Sequence, residues 1–161
     1  MDIINLTQGI FLSGYKVRSC ALKVMHTKNI WLFNCCEGCQ HALLENQIKI
    51  SQISTIILTD LNMNSIAGLL GLLSSLSLFN RKKLLHIYGP VNIDKYISLI
   101  KKYAKTSFSY GLYLHILQTG LLVEFDNSRI YAFVKKNMLN LFLSTEKLIK
   151  YFNCPKLKYF V

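Results

Sequence analysis

Ser54-Thr55-Ile56-Ile57-Leu58-Thr59 is an almost continuous apolar run rich in β-branched side chains. A strand needs that composition when both of its faces are buried, as in a parallel sheet covered by helices. The neighbouring sequence supplies suitable partners. Residues 30–34 and 84–88 read as further strands, the second stopped by Gly89-Pro90, and residues 37–46 and 66–79 read as helices. Asn92 is placed to cap a helix over residues 93–105. In that helix Ile93, Tyr96, Ile97, Ile100 and Ala104 recur at the 3.6-residue spacing, and Lys95, Lys101, Lys102 and Lys105 fill the other face. Strands are expected at 112–117, 121–125, 129–134 and 139–143, with Asp126-Asn127-Ser128 as a hairpin turn. Strand–helix alternation followed by a β-meander implies an α/β layered domain.

The 161 residues are 52% hydrophobic and 17% charged, which suits one compact domain and excludes a disordered or fibrous chain. The longest apolar stretch, residues 66–79, carries Ser74, Ser75 and Ser77 and is shorter than the roughly 20 residues of a membrane-spanning helix, so no membrane span is expected. The opening MDIINLTQGI has neither a basic region leading into an apolar one nor the Arg/Ser-rich look of a transit peptide. Five cysteines, three of them crowded at Cys35, Cys36 and Cys39, fit free thiols in a reducing, intracellular compartment. Nineteen Lys and Arg against eight Asp and Glu leave a net charge of +11, which points first to a polyanion such as RNA. All but Arg18, Arg81 and Arg129 of these cations are lysine, and Asn, Ile, Phe and Tyr are abundant too, as AT-rich coding in a plastid or similar organelle would also produce.

Few side chains suggest chemistry by spacing alone. Cys36 and Cys39 make a CxxC near His41, but no second ligand pair follows, so they read as chance thiols. His26, His41, His86 and His115 are scattered, with no i, i+4 pair, and read as structural or surface groups. Glu37, Glu45, Asp60, Asp94, Glu124 and Asp126 do not cluster. Arg81, Lys82, Lys83, Lys101, Lys102 and Lys105, with Lys135, Lys136 and a lysine-rich tail, are candidate phosphate contacts, and ordinary solvated lysine explains them equally well. Tyr103, Tyr110 and Tyr113 could stack on bases, although core packing is the simpler reading.

Three segments in order resemble ribonuclease Z, the tRNA 3′-processing endonuclease of the metallo-β-lactamase fold. Leu32-Phe33-Asn34-Cys35-Cys36-Glu37-Gly38-Cys39-Gln40 resembles that family's LFDCGEGTQ turn. Ile56-Ile57-Leu58-Thr59 with Gly68-Leu69-Leu70-Gly71-Leu72-Leu73-Ser74-Ser75 resembles its metal-motif strand and GLPGLLSS helix, and Ile87-Tyr88-Gly89-Pro90 matches its IYGP turn. Upstream, residues 9–14 stand for the opening strand. Downstream, residues 132–147 resemble the stretch around the next metal-binding histidine, and 150–155 the helix-to-proline segment after it.

The resemblance implies a partial metallo-β-lactamase fold, the N-terminal half of an αββα sandwich. It further implies one ribonuclease Z-like domain over residues 1–161 that lacks most of the C-terminal half and the tRNA-binding arm. The family holds two zinc ions through an HxHxDH motif after the buried strand. Here the six positions read Asp60-Leu61-Asn62-Met63-Asn64-Ser65. Asp60, Asn62 and Ser65 stand where the family has histidines, Asn64 where it has its catalytic aspartate, and Asn137 is placed at the next histidine. Zinc sites use Cys, His and carboxylates, so no metal cofactor and no endonuclease activity of the chain alone are expected. A lone sheet with helices on one side would leave an apolar face to cover, which favours a homodimer or a partner protein. A tRNA precursor remains the candidate ligand. Activity restored by a complementary partner chain, or a decaying reading frame, are the other readings.

Overall fold

The computed structural model describes residues 2–6, 11–12, 15–16, 19–23, 28–118, 120–125, 128–135, 138–145, 148–152 and 159–160. The chain divides into two compact units, Met1–His115 and Ile116–Val161.

The first unit begins with β1 (Asp2–Asn5), the short ribbon β2 (Phe11–Leu12) and β3 (Tyr15–Lys16), and β4 (Cys20–Lys23). Then come β5 (Ile30–Phe33), α1 (Cys39–Glu45), a single 3-10 turn (Ile50–Gln52) and β6 (Ile53–Ile57). α2 (Met63–Ile66), α3 (Leu69–Leu78), β7 (Leu85–Gly89), α4 (Ile93–Tyr103) and β8 (Leu112–Ile116) complete the series. One six-stranded sheet runs β1-β4-β5-β6-β7-β8. The β1–β4 and β4–β5 pairs are antiparallel, and β5–β6 and β6–β7 are parallel. The expected buried strand is thus β6, at the middle of the parallel part, with Ile53, Ile56 and Ile57 fully buried. The opening strand of the sheet is β1; of residues 9–14, expected in that role, only Phe11 and Leu12 are described, and they sit in the ribbon.

Leu69, Leu72, Leu73 and Leu76 fall one to two turns apart on α3 and are all fully buried against Leu32, Ile56, Leu85, Ile87 and Ile93. The single helix expected over 66–79 is instead two, α2 and α3. Gly68 explains the break. Its N–H donates to Cys35 O at 2.9 Å rather than into a continuous helical ladder. A Cβ placed on it would lie 2.3 Å from the Cys36 carbonyl oxygen, so only glycine allows this approach. On α4, Ile93 and Ile97 are buried and Tyr96 and Ile100 half-buried, while Ala104 and the lysines are exposed. Asn92 occupies the capping position but in the left-handed region (φ 76°), and its side chain makes no capping bond.

The second unit is a five-stranded antiparallel sheet ordered β13-β12-β11-β10-β9. Its strands are β9 (Gly120–Phe125), β10 (Ser128–Lys135), β11 (Met138–Thr145), β12 (Leu148–Phe152) and β13 (Tyr159–Phe160). Phe125 pairs with Ser128, so the expected hairpin is present, with Ser128 already in the strand. The lone-sheet reading was therefore incomplete, since the meander forms a second sheet. Residues 148–152, overlapping the segment likened to a helix before a proline, are a strand.

Candidate metal centre

The turn after β6 is held by its backbone and by one asparagine. Asn34, just past β5, adopts the left-handed region (φ 55°), which asparagine tolerates better than most residues. Its N–H donates to Ile57 O at 2.9 Å, and its Oδ1 accepts the Thr59 N–H at 2.9 Å. The Thr59 hydroxyl lies 3.1 Å from that same oxygen and 3.2 Å from Asp60 Oδ2. Asp60 Oδ1 accepts the Asn62 N–H at 2.9 Å, closing a local turn that leads into α2. Cys35 N–H donates to Ser65 O at 2.7 Å, so the turns after β5 and β6 are tied to each other.

Around this clasp the three crowded thiols are all buried. The Cys39 side-chain hydrogen bond, reinforced by burial, holds the Cys35 thiol well above its ordinary pKa. Burial also raises Cys36, against the opposing effect of a bond to the Ser19 hydroxyl. Protonated, buried thiols are poor nucleophiles and poor metal ligands. All three pack within the hydrophobic core of the unit.

The structure places Asp60 and Asn62 on the turn that follows β6, and Asn64 and Ser65 in α2 directly after it. Asn62 and Asn64 are exposed, Asp60 is half-buried and Ser65 is buried. Asn137 lies outside the described residues. As donors for zinc these side chains do not fit. Two are neutral amides, one is a hydroxyl, and both oxygens of the one carboxylate already accept hydrogen bonds or lie within reach of a donor. Among the described residues, no group of three or more His, Cys, Asp or Glu side chains is placed to hold a metal ion.

The basic residues divide into two kinds. Lys82, Lys83, Lys101, Lys102 and Lys105 are exposed, with Lys101 Nζ 5.5 Å from the Phe108 ring centre and Lys102 Nζ 5.5 Å from that of Tyr103. Arg81, expected among them, is 7% exposed and donates to the carbonyls of Lys83, Leu84 and Ser51. Its guanidinium braces the chain through these three bonds. Of the tyrosines considered for base stacking, Tyr110 is buried with its hydroxyl on Leu73 O, while Tyr103 and Tyr113 are exposed.

Sequence spacing missed one cluster. His86 on β7 and His115 on β8, 29 residues apart, meet with Nδ1 and Nε2 at 3.0 Å, and Tyr88 stacks on His115 with ring centres 4.4 Å apart. Strand pairing alone creates this contact. Burial, and then the neighbouring His86, lower the His115 pKa. His41 instead forms an exposed pair with Glu45, and His26 lies outside the described residues.

Ribonuclease Z of Nostoc sp. (strain PCC 7120) is 36% identical to the chain over 126 residues, which cover 78% of this chain. The chain belongs to the ribonuclease Z family. It spans 39% of that ribonuclease Z's length, and 48% of a Porphyra purpurea protein called uncharacterized protein ycf56, to which it is 42% identical over 77% of its own length. The crystal structure of the short form of human tRNase Z superposes with a TM-score of 0.76 at 24% identity, covering 92% of this chain and 67% of that one. The metallo-β-lactamase fold protein YhfI from Bacillus subtilis matches with a TM-score of 0.64 at 12% identity, over 91% of this chain and 59% of that one. The fold is therefore a partial metallo-β-lactamase fold, as the ribonuclease Z-like segments implied. No family model matches the chain.

Proposed function

We propose that this chain is a ribonuclease Z-like protein tied to tRNA 3′-end processing that lacks zinc-dependent endonuclease activity of its own and acts as a basic RNA-binding or partner subunit. The 60–65 segment carries this reading. It runs from the turn after β6 into α2, at the position that resembles the family's metal motif, yet offers Asp60, Asn62, Asn64 and Ser65 as its side chains. An amide at 64 cannot take up a proton as a carboxylate does. Loss of a general acid or base alone costs roughly 10²–10⁴ in rate, and loss of both metals removes the nucleophile as well.

A tRNA precursor is the RNA proposed. No carboxylate lies between Asp60 and Asp94 or between Asp94 and Glu124, and among the described residues Lys82, Lys83, Lys101, Lys102 and Lys105 form no ion pair with one. A homodimer is the favoured assembly, because Leu78 and Phe79 at the end of α3 are 86% and 73% exposed. Similarity to the Porphyra protein and the AT-rich composition support a plastid setting. Among the described residues no helix is long and apolar enough to cross a membrane.

The test is incubation of purified protein with a tRNA precursor bearing a 3′ trailer, in zinc, manganese or magnesium. The expected result is retention of the RNA without cleavage, with affinity falling steeply as salt rises. Metal-dependent cutting at the trailer boundary would overturn the reading in favour of an active enzyme. Absence of both binding and cutting would overturn it in favour of a chain without this role.

A further inference from the structure

At the amino ends of the parallel strands, opposite the 60–65 turn, the first unit contains a cavity of about 490 Å³. That volume lies within the roughly 300–1,000 Å³ of small-molecule sites. Trp31, Ser54, Thr55, Arg81, Lys83 and His86 are among its walls, and no carboxylate is among its described lining residues. Its lining takes in Ile53, Ser54 and Thr55 at the amino end of β6, whereas the metal-motif turn follows the carboxyl end of that strand.

Arg81 is the unusual member. It is 93% buried by its 7% exposure, yet the only ion pair among the described residues is His41–Glu45, so this guanidinium has no counter-ion there. A buried cation without an opposing charge is costly, and here burial pulls its pKa down. The Tyr110 ring, 5.8 Å from Cζ, compensates in part. Three of the five N–H donors are committed to the carbonyls of Lys83, Leu84 and Ser51, leaving two. Lys83 adds a second positive charge on the same wall, and its exposed ammonium is not held by any carboxylate among the described residues.

We infer that this cavity binds a phosphate group, carried by a nucleoside monophosphate, with the phosphate held between Arg81 and Lys83 and the base beside the half-buried His86 ring. The two cations supply the charge an anion would neutralise. The Thr55 hydroxyl gives a further donor, that of Ser54 being already on Ile30 O at 3.5 Å, and the volume exceeds what a bare phosphate fills. The site lies at the other end of β6 from the metal-motif turn and shares only Lys83 with the proposed RNA-binding lysines.

The test is equilibrium dialysis of the full chain with adenosine 5′-monophosphate, adenosine and inorganic phosphate, repeated with Lys83→Glu and Lys101→Glu. Lys83 is exposed, so its replacement should leave the fold intact, which circular dichroism checks. The monophosphate should bind saturably at one site, with adenosine at least about tenfold weaker. Lys83→Glu should weaken the monophosphate at least about tenfold, and Lys101→Glu less than about twofold. Inorganic phosphate binding as tightly as the nucleotide would keep the phosphate site and identify free phosphate as its ligand. Absence of binding by either below about 1 mM, or affinity unchanged by Lys83→Glu, would overturn the assignment.

Discussion

The turns that follow β5 and β6 are neighbours tied by the Cys35–Ser65 backbone bond, but they are built under different constraints. The first is packed. Cys35, Cys36 and Cys39 are buried, Cys36 N–H donates to the Ser19 hydroxyl at 3.0 Å, and the Cys36 carbonyl presses on Gly68. The second serves the fold mainly through its main chain and through Asp60, while Asn62, Met63 and Asn64 point into solvent. A side chain in the first turn is held by volume and hydrogen bonding. A side chain at 62 or 64 is held by neither, so its identity can change at little cost to folding. The fold can therefore persist while the donor chemistry at its edge changes.

That contrast can be broken by measurement. Leu72→Ala, in the fully buried stripe of α3 that supports the packed turn, should cost about 3–4 kcal/mol in urea unfolding. Gly68→Ala should cost about 2–3 kcal/mol by the same measurement, since the Cys36 carbonyl must move. A loss below about 0.5 kcal/mol there would show that the two turns are not locked. Asn34→Ala, at the junction between them, leaves the Thr59 N–H without its acceptor and should cost about 1–2 kcal/mol.

A smaller effect is expected from the imidazole pair. The folded-state pKa of His115 is depressed by burial and by His86, so the unfolded chain takes up the proton more readily. Stability is then complete above the ordinary histidine pKa and is lost as pH falls through it. The melting temperature should drop between about pH 7.5 and about pH 5.5, and His115→Gln should flatten that slope. Smallest of all, Asn62→His with Asn64→Asp should change stability by less than about 0.5 kcal/mol while raising zinc content measured by mass spectrometry. A large destabilisation by this pair would erase the contrast between the turns.

Much of the first unit was legible because its strands and helices have different periods. β6 is marked by its β-branched run, and α4 by a spacing that placed Ile93 and Ile97 inside and Lys95, Lys101 and Lys102 outside. β1 and β4 were not legible. Asp2–Asn5 and Cys20–Lys23 lack the continuous bulky apolar run that marks β5, and form by pairing with one another and, for β4, with β5. The break between α2 and α3 escaped notice because it depends on a carbonyl more than thirty positions away. Arg81 looked like one basic run with Lys82 and Lys83, and only burial separates it from them. The Asn34–Thr59 clasp and the His86–His115 contact come from strand neighbourhood and leave no spacing to read in the sequence.

The backbone exchange between Cys35 and the start of the helices has a consequence for motion. Cys35 gives its amide hydrogen to Ser65, and its carbonyl receives that of Gly68. Neither bond can open without pulling the other, so these two amides should trade hydrogen for deuterium at a common rate, set by one concerted opening of the region. Two sites thirty-three positions apart along the chain would then report a single event.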